Sequence, residues 1–325
     1  MKAVERLAKR QQNWAKLDQM VEKFSTSLRF SPLQVVQFAA LYRAVCADLA
    51  LADAYQLPPG TISYLHRLVA RAHHQLYRAK GLAFRTWSRM FFNDVPRQVL
   101  HDRCVQFAFV FFWGLFALAA FMAYRDDLFP KFADDTLGEA VMAQMEEMYG
   151  TPLKDREIGE RVMMAAFYIQ HNTGIGLQCF ASCLLLVPGL LVVKFNALQI
   201  GAVFGYMARP ETAGTENFFE FVTAHGPFEL TAVVLSAGAG LRLGVSWMWT
   251  RGYSRRDAIR RALKDTLPVM GAAMVLFFGA AFIEGFISPS LLPYPIKGAV
   301  AILSSMILVA YFVVLGLRAE ASDAV

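Results

Sequence analysis

Long apolar runs separated by short charged stretches dominate the C-terminal two thirds of the chain. A helix needs about 20 apolar residues to cross a bilayer core of about 30 Å. Residues 196–208 form an apolar run that is shorter than this, and Pro188–Gly189 predicts a kink in the run before it. The clear transmembrane helices are predicted at about residues 105–124, 174–195, 227–249, 267–287 and 296–317.

The first hundred residues have a different pattern, in which apolar positions alternate with many charges at helical spacing. Between Val4 and Phe24, apolar residues recur every three or four positions, which predicts an amphipathic helix. Ser31 followed by Pro32 predicts the N-cap and the first position of a second helix that runs to about Tyr55.

Two further helices are expected before the first apolar run. One opens at Thr61 or Ser63 and continues through residues 77–80. The other, residues 81–92, is basic and aromatic, a composition typical of helices that lie at membrane surfaces. Residues 1–104 are therefore predicted to form a basic cytosolic helical domain that ends in an amphipathic interfacial helix, followed by a transmembrane domain at residues 105–325.

Composition supports a membrane protein and argues against a soluble enzyme. The chain is 56% hydrophobic and 18% charged, whereas soluble domains average about 45–50% and about 25%. Four cysteines in 325 residues are too few for a disulfide scaffold. Residues 1–104 hold 16 Lys and Arg against 7 Asp and Glu. No base-stacking motif accompanies this basic excess, so we expect contact with anionic membrane lipids and not with nucleic acid.

The charges of the loops predict the topology. Lys and Arg concentrate in cytoplasmic loops. Residues 125–170 have five basic and ten acidic residues and are expected outside, whereas residues 251–264 have six basic residues and are expected inside. An odd number of crossings must separate these loops, so residues 196–208 must also cross. The prediction is an all-α polytopic membrane protein with six transmembrane helices, both termini in the cytoplasm, and a small cytosolic helical domain in front.

Five strings lie in order across the membrane part: YIQHNTGIGL (168–177), FNALQIGAVFGYM (195–207), HGPFEL (225–230), AGAGLRLG (237–244) and AAFIEGFISP (280–289). With LYRAVCADLA and LVARAHHQLYR in the N-terminal domain, they make the chain similar to the stage II sporulation protein M family of bacterial integral membrane proteins. One position departs from the family pattern, because His171 precedes Asn172 where such proteins commonly have two asparagines.

The resemblance implies a function without catalysis. The sporulation member is a membrane scaffold in a complex with a cell-wall hydrolase, and many relatives are encoded near MoxR-type ATPases and RDD-type membrane proteins. By this resemblance we expect a multi-pass scaffold or accessory protein of an envelope complex in the bacterial cytoplasmic (inner) membrane, linked to cell-wall remodelling. Its expected partners are lipids and other envelope proteins, among them a MoxR-type ATPase or an RDD-type protein.

Ionisable and strongly polar residues inside a membrane are costly, which makes them candidates for function. The predicted topology places five of them in the external half: His171, Asn172, His225, Glu229 and Glu284.

Two interpretations of these residues stay open. In the structural one, Gly226 caps the fourth helix and Glu229 accepts bonds from its first turn. His225 caps the helix or bonds locally, and Glu284 meets Lys297 or backbone groups. In the functional one, the groups line an outward-facing polar pocket for a lipid head group, glycan precursor, cation or partner segment. Two His and two Glu also suit a metal by ligand type, but their spacing matches no metal signature, so neither metal nor cofactor is predicted.

Arg242 is a costly residue in the internal half. We predict that it forms an intramembrane polar hub with Asn196. Gly201 and Gly205, like Gly240 and Gly244, have the spacing that lets helix backbones approach, and they make a homodimer plausible. Cys179 and Cys183 share one helix face and are expected to be core thiols.

The chain has no recognisable catalytic motif. It has no HExxH, and residues 235–240 supply no GxSxG turn, so no catalytic residue is predicted. The alternative to a scaffold is a transporter or flippase-like protein, whose external polar pocket would take a small or lipid-linked solute.

Overall fold

The computed structural model describes residues 2–26, 31–76, 84–153 and 157–323. Within these ranges the chain is helical and contains no strand, which confirms the all-α class. Its contacts divide it into two compact units, Met1–Ala83 and Phe84–Val325. This division lies before the boundary that we predicted after residue 104.

The first unit is a bundle of three helices: α1 (Lys2–Thr26), α2 (Pro32–Ala54) and α3 (Pro59–Leu76). Each helix packs against the other two. The apolar stripe predicted for α1 is confirmed over its described side chains, since Trp14, Leu17 and Val21 are buried. The other buried apolar side chains of the bundle are Phe38, Val45, Ala52, Leu65, Leu68 and Ala72.

The start of α2 is as predicted. Ser31 accepts a hydrogen bond from the Gln34 amide while the Gln34 side chain accepts one from the Ser31 amide, and Pro32 occupies the first turn. This reciprocal pair satisfies two of the free amides at the helix start. α3 begins at Pro59, earlier than the predicted Thr61, because proline suits a first turn. The predicted continuation to residues 77–80 lies outside the described residues.

The bundle encloses one acidic side chain. Asp48 is 0% exposed and accepts hydrogen bonds from Arg10 Nη1 at 2.6 Å and from Trp14 Nε1 at 2.9 Å. The Arg10 guanidinium balances its charge, so this buried carboxylate is fully partnered.

The second unit begins with helices that were predicted to end the cytosolic domain: α4 (Phe84–Arg89), a π-helical turn (Met90–Asp94) and α5 (Val95–His101). The Tyr311 hydroxyl donates to the Phe91 carbonyl oxygen at 2.5 Å, so this segment packs onto the C-terminal helices. The predicted interfacial helix therefore belongs to the membrane unit from Phe84 onward, and residues 81–83 lie outside the described residues.

The remaining helices of this unit are α6 (Arg103–Tyr124), α7 (Phe132–Leu137), α8 (Glu139–Gly150), α9 (Ile158–Cys183), α10 (Val187–Met207), α11 (Thr215–Val222), α12 (Gly226–Met248), α13 (Arg255–Phe286), α14 (Tyr294–Val309) and, after a second π-helical turn at Ala310–Val314, α15 (Leu315–Asp323). The acidic loop predicted at residues 125–170 thus contains two helices and the start of α9. Met207 of α10 packs with Tyr149 of α8 and Phe218 of α11.

Six helices in the described residues are long and apolar enough to cross a membrane: Leu33–Ala54, Arg103–Tyr124, Val187–Met207, Gly226–Met248, Arg255–Phe286 and Tyr294–Ala319. The first of them is α2, which contributes to the bundle core of the first unit. α9 is absent from this set, but it packs against α10, α12 and α13. When α9 is counted with the five helices of this set that lie in the second unit, the described residues of that unit contain six long helices, which equals the predicted number of transmembrane helices.

The predicted division between residues 195 and 196 is wrong. α9 ends at Cys183 and α10 begins at Val187, so the connecting turn lies inside the run that was interpreted as one helix. Leu186 adopts a φ of 54° in this turn, a strained value for a leucine. Pro188 is not a kink but stands in the first turn of α10. Because the turn is itself apolar, hydropathy could not reveal it.

Glycines set the closest helix contacts of this unit, as predicted. Gly201 and Gly205 bring α10 against the backbone of α6, where a Cβ would collide with carbonyl oxygens. Gly240 and Gly244 bring α12 against the end of α9. Cys183, like its neighbour Cys179, is a buried free thiol in this contact region.

Candidate functional site

The start of α12 places two ionisable residues on one helix face. Pro227 stands in the first turn, and His225, not the predicted Gly226, is the N-cap. Its side chain makes no capping bond to the backbone. His225 and Glu229 are four residues apart, so their side chains lie one above the other on the helix surface.

Two other helices complete a polar cluster at this end of the unit. Glu284 comes from the last turn of α13 and Asn172 from α9, and the Asn172 amide donates to Glu284 Oε2 at 3.3 Å. One ligand atom from each of His225, Glu229 and Glu284 lies within 4.8 Å of the other two. We call Asn172, His225, Glu229 and Glu284 the polar cluster.

The polar cluster is largely shielded from solvent. His225 is 5% exposed, Asn172 4% and Glu284 8%, while the Glu229 side chain retains 22%. Two carboxylates this close to each other in a low-dielectric environment repel unless a proton or a cation lies between them.

A serine orients the histidine ring. His225 Nδ1 lies 3.0 Å from Ser288 Oγ, a hydrogen-bonding distance, on the loop after α13. The other ring nitrogen, Nε2, lies 3.7 Å from Glu229 Oε2, which is longer than a hydrogen bond. The ring thus presents Nε2 to the Glu229 carboxylate, and a donated Nδ1 hydrogen would leave Nε2 with a free lone pair.

Of the two contacts that the structural interpretation offered for Glu284, the one with Lys297 is not formed. Lys297 is 1% exposed, and its Nζ donates to Glu220 Oε1 at 3.2 Å and to the Ser288 carbonyl oxygen at 2.7 Å. Among the described residues, no Lys or Arg forms an ion pair with Glu229 or Glu284.

Glu220 and Ser288 were missed by sequence reasoning. Glu220 stands in the amphipathic helix α11, in the segment between the predicted transmembrane helices at residues 196–208 and 227–249. The buried Lys297 was the available signal, because a buried ammonium needs an acidic partner.

The fifth predicted pocket residue lies apart. His171 is exposed, and its ring stacks on Phe167 with centroids 5.5 Å apart. It precedes Asn172 on α9, and adjacent positions on a helix point to different faces. Four of the five predicted pocket residues therefore come together.

The predicted hub of Asn196 and Arg242 is not formed. Asn196 Nδ2 donates to the Val192 carbonyl oxygen of its own helix at 2.9 Å. Arg242 Nε lies 3.4 Å from Asp102 Oδ2, and Asp102 also accepts from the Cys104 amide as the N-cap of α6. A carboxylate at the start of a neighbouring helix outcompetes a neutral amide for a guanidinium.

Two cavities of the second unit have linings that include no residue of the polar cluster. Ser288, Lys297 and Glu220 line a cavity of about 10 Å³, room for about one water molecule. A separate cavity of about 500 Å³ lies between α4, the two π-helical turns, α12, α13 and α14, and its lining is almost wholly apolar, including Trp87, Phe228 and Tyr311. The larger cavity has few polar atoms in its lining and none from the polar cluster, so it does not extend that cluster.

The arrangement has a defined chemical capacity. His225, Glu229 and Glu284 each present one ligand atom to a common space, and Asn172 and Ser288 hold two of them in place. Such a set can hold a proton or a cation.

Comparisons with known proteins agree with the resemblance seen in the sequence. The sequence model of the family described as Stage II sporulation protein M matches residues 107–289, more than half of the chain, and this match includes the whole polar cluster. A second model, described as a domain of unknown function (DUF8413), matches residues 5–78. No curated protein matches the chain, and no solved structure matches it. The chain is therefore a multi-pass membrane protein that belongs to the stage II sporulation protein M family.

Proposed function

We propose that this protein is a non-catalytic scaffold of an envelope complex in the bacterial cytoplasmic membrane. One observation carries the proposal, an apolar stripe on the outside of the first unit. Leu33, Val36, Ala40, Ala47 and Leu51 repeat at helical spacing along α2, and all five are exposed. We call this set the α2 stripe.

The α2 stripe is surplus to folding of the bundle. The core-facing positions of α2, among them Phe38, Val45 and Ala52, are each 0% exposed. Leu33 is 77% exposed and Val36 65% exposed on a different face. Rows of exposed apolar side chains on a folded domain mark sites of interaction, because their burial by a partner is favourable.

The stripe favours a helical partner segment. An i, i+3/i+4, i+7 row of small and aliphatic side chains matches the way two amphipathic helices pack. By the family resemblance, the partners to test are a MoxR-type ATPase and an RDD-type membrane protein.

The test uses one substitution and a neighbouring control in the full chain. Val36→Glu places a charge in the α2 stripe, while Gln37→Glu places the same charge at an adjacent exposed polar position. Tagged protein is purified from native membranes, and the co-purified MoxR-type and RDD-type proteins are quantified. We expect Val36→Glu to lower partner recovery at least tenfold and Gln37→Glu to leave it unchanged. Recovery that is equal for both variants, or absent with the wild type, contradicts the proposal.

The transporter alternative receives less support from the polar cluster. Small-molecule sites generally occupy about 300–1,000 Å³. A cavity of this size, about 500 Å³, has an almost wholly apolar lining that includes no residue of the polar cluster. A scaffold accounts better for a polar cluster that lies outside this cavity.

A further inference from the structure

We propose that His225, Glu229 and Glu284 bind one divalent transition-metal ion, Zn²⁺ by ligand type. This inference is independent of the scaffold proposal and rests only on the geometry of the polar cluster. Two helices supply the three ligands, α12 through His225 and Glu229 and α13 through Glu284.

The first argument is charge. Glu229 and Glu284 bring two negative charges to one largely buried space, and among the described residues no Lys or Arg ion pair balances them. A divalent ion with two carboxylates and one neutral imidazole makes a site with zero net charge. Net neutrality matters at a buried position within a membrane protein, where an uncompensated charge is costly.

The second argument is ligand chemistry. Zn²⁺ is bound by imidazole nitrogen and carboxylate oxygen, and sites with three protein ligands leave a fourth position for water or another ligand. Mg²⁺ and Ca²⁺ take oxygen ligands, so a histidine aimed at the site favours a transition metal over either of them.

The third argument is the set of side chains behind the ligands. Histidines that bind metals generally use the second ring nitrogen in a hydrogen bond that fixes the ring. Here His225 Nδ1 is 3.0 Å from Ser288 Oγ, and Nε2 lies on the side of Glu229, 3.7 Å from its Oε2. Asn172 donates to Glu284 Oε2 at 3.3 Å in the same supporting manner.

The distances suit a site that closes on an ion. Ligand atoms about 2.0–2.2 Å from a tetrahedral Zn²⁺ lie about 3.4 Å from one another. His225 Nε2 and Glu229 Oε2 are already 3.7 Å apart, and all three ligand atoms lie within 4.8 Å of one another. Rotation about glutamate side-chain bonds covers the difference without movement of the helices.

The experiment measures metal in the full chain, purified in detergent with a tag that contains no histidine. The protein is stripped with a chelator, exchanged into metal-free buffer and titrated with Zn²⁺. Bound metal is read by elemental analysis, and the unfolding temperature is recorded with and without Zn²⁺. We expect about one Zn²⁺ per chain, with a higher unfolding temperature when it is bound, because a ligand of the folded state stabilises that state.

Matched variants locate the site. His225→Ala and Glu284→Gln are expected to weaken Zn²⁺ binding at least tenfold. His171→Ala and Glu216→Gln remove an exposed histidine and an exposed glutamate outside the cluster, and both are expected to bind as the wild type does. Wild-type affinity in His225→Ala and Glu284→Gln overturns the proposal.

If a variant of the polar cluster does not fold, measurements on the wild type alone test the proposal. X-ray absorption at the zinc edge is expected to show only nitrogen and oxygen ligands at about 2.0–2.2 Å. A sulfur shell would assign the metal to cysteine and overturn the proposal. The proposal is also overturned if Zn²⁺ binding is not saturable and the unfolding temperature responds to pH alone. A shared proton, and not a metal ion, would then hold the two carboxylates together.

Discussion

Two buried acidic centres of this protein are built in opposite ways. In the first unit, Asp48 is enclosed and accepts hydrogen bonds from Arg10 and Trp14. In the second unit, Glu229 and Glu284 lie side by side, with no described Lys or Arg paired to either. The chain supplies the counter-charge in the first case and omits it in the second. A buried carboxylate that is already partnered belongs to the fold, whereas an unbalanced pair is what we expect of a binding site.

A cation lies near the unbalanced pair and is engaged elsewhere. Lys297 contacts Glu220 and the Ser288 carbonyl oxygen, while the Ser288 hydroxyl contacts His225. This end of the second unit therefore contains a balanced acid, Glu220, and an unbalanced pair, Glu229 and Glu284. Ser288 connects the two through its contacts with Lys297 and His225. If this contrast is correct, substitutions at balanced centres lower stability, while substitutions at the unbalanced pair lower binding.

The largest effect is expected for Asp48→Ala. It leaves the Trp14 indole N–H without its acceptor and the Arg10 guanidinium without its counter-charge, and we expect a loss of about 2–3 kcal/mol in the free energy of unfolding of the first unit. Hydrogen exchange of α1–α3 in the full chain measures it. The control is Asp53→Ala, an exposed acid on the same helix. Equal exchange in both variants would contradict a structural role for Asp48.

Lys297→Met is expected to have the next largest effect. The substitution keeps the apolar length of the side chain but leaves the Glu220 carboxylate, 15% exposed, without its cation. We expect a loss of about 2 kcal/mol, seen as a lower unfolding temperature in detergent. Lys264→Met, at an exposed position of α13, provides the control and is expected to match the wild type.

Glu284→Gln is expected to behave differently in metal-free protein. It removes one of two neighbouring negative charges and retains the side-chain shape, so stability should stay within about 1 kcal/mol of the wild type or increase. The unfolding temperature in the presence of a chelator measures this. A loss as large as that of Lys297→Met would mean that Glu284 is a structural carboxylate, and the contrast between the two kinds of centre would fail.

The smallest effect is expected for a charge pair at the surface. The Arg125 side chain hydrogen bonds Asp127 at 2.6 and 2.7 Å and holds the pKa of Asp127 below its ordinary value. A lowered carboxyl pKa contributes stability above the pKa of the unfolded chain, and this contribution is lost as pH falls through the folded-state pKa. Both groups are solvated, so Arg125→Gln should leave the unfolding temperature unchanged at pH 7 and at pH 4. A measurable decrease at pH 7 alone would show that even solvated pairs stabilise this fold.

Local signals allowed much of the architecture to be predicted. The capping residues Ser31 and Pro32 located α2, and the opposite charges of residues 125–170 and 251–264 predicted a third crossing between these two loops. The turn at residues 184–186 escaped prediction because a break between two apolar helices needs no polar residue. The local mark in the sequence was Pro188, which suits the first turn of a helix but was interpreted as a kink.

The sequence allowed the residues of the polar cluster to be predicted, but not which of them contact one another. Asn172, His225, Glu229 and Glu284 stood out as costly polar residues in apolar segments. Their separation along the chain, which is 112 residues from Asn172 to Glu284, hides which of them meet. The same limit explains why Asn196 was assigned to Arg242 when Asp102, near the start of the membrane unit, is the actual partner.

By itself, the sequence determined the helical class, the membrane character and the family, because these follow from composition, periodicity and local strings that every segment carries within it. The tertiary structure alone decided which charges are balanced. Asp48 meets Arg10, and Lys297 meets Glu220 and not Glu284, because helix packing brings distant side chains together. Coulomb and hydrogen-bond energies depend on those distances in space and not on separation along the chain. The unbalanced pair of Glu229 and Glu284 therefore exists only in the folded protein.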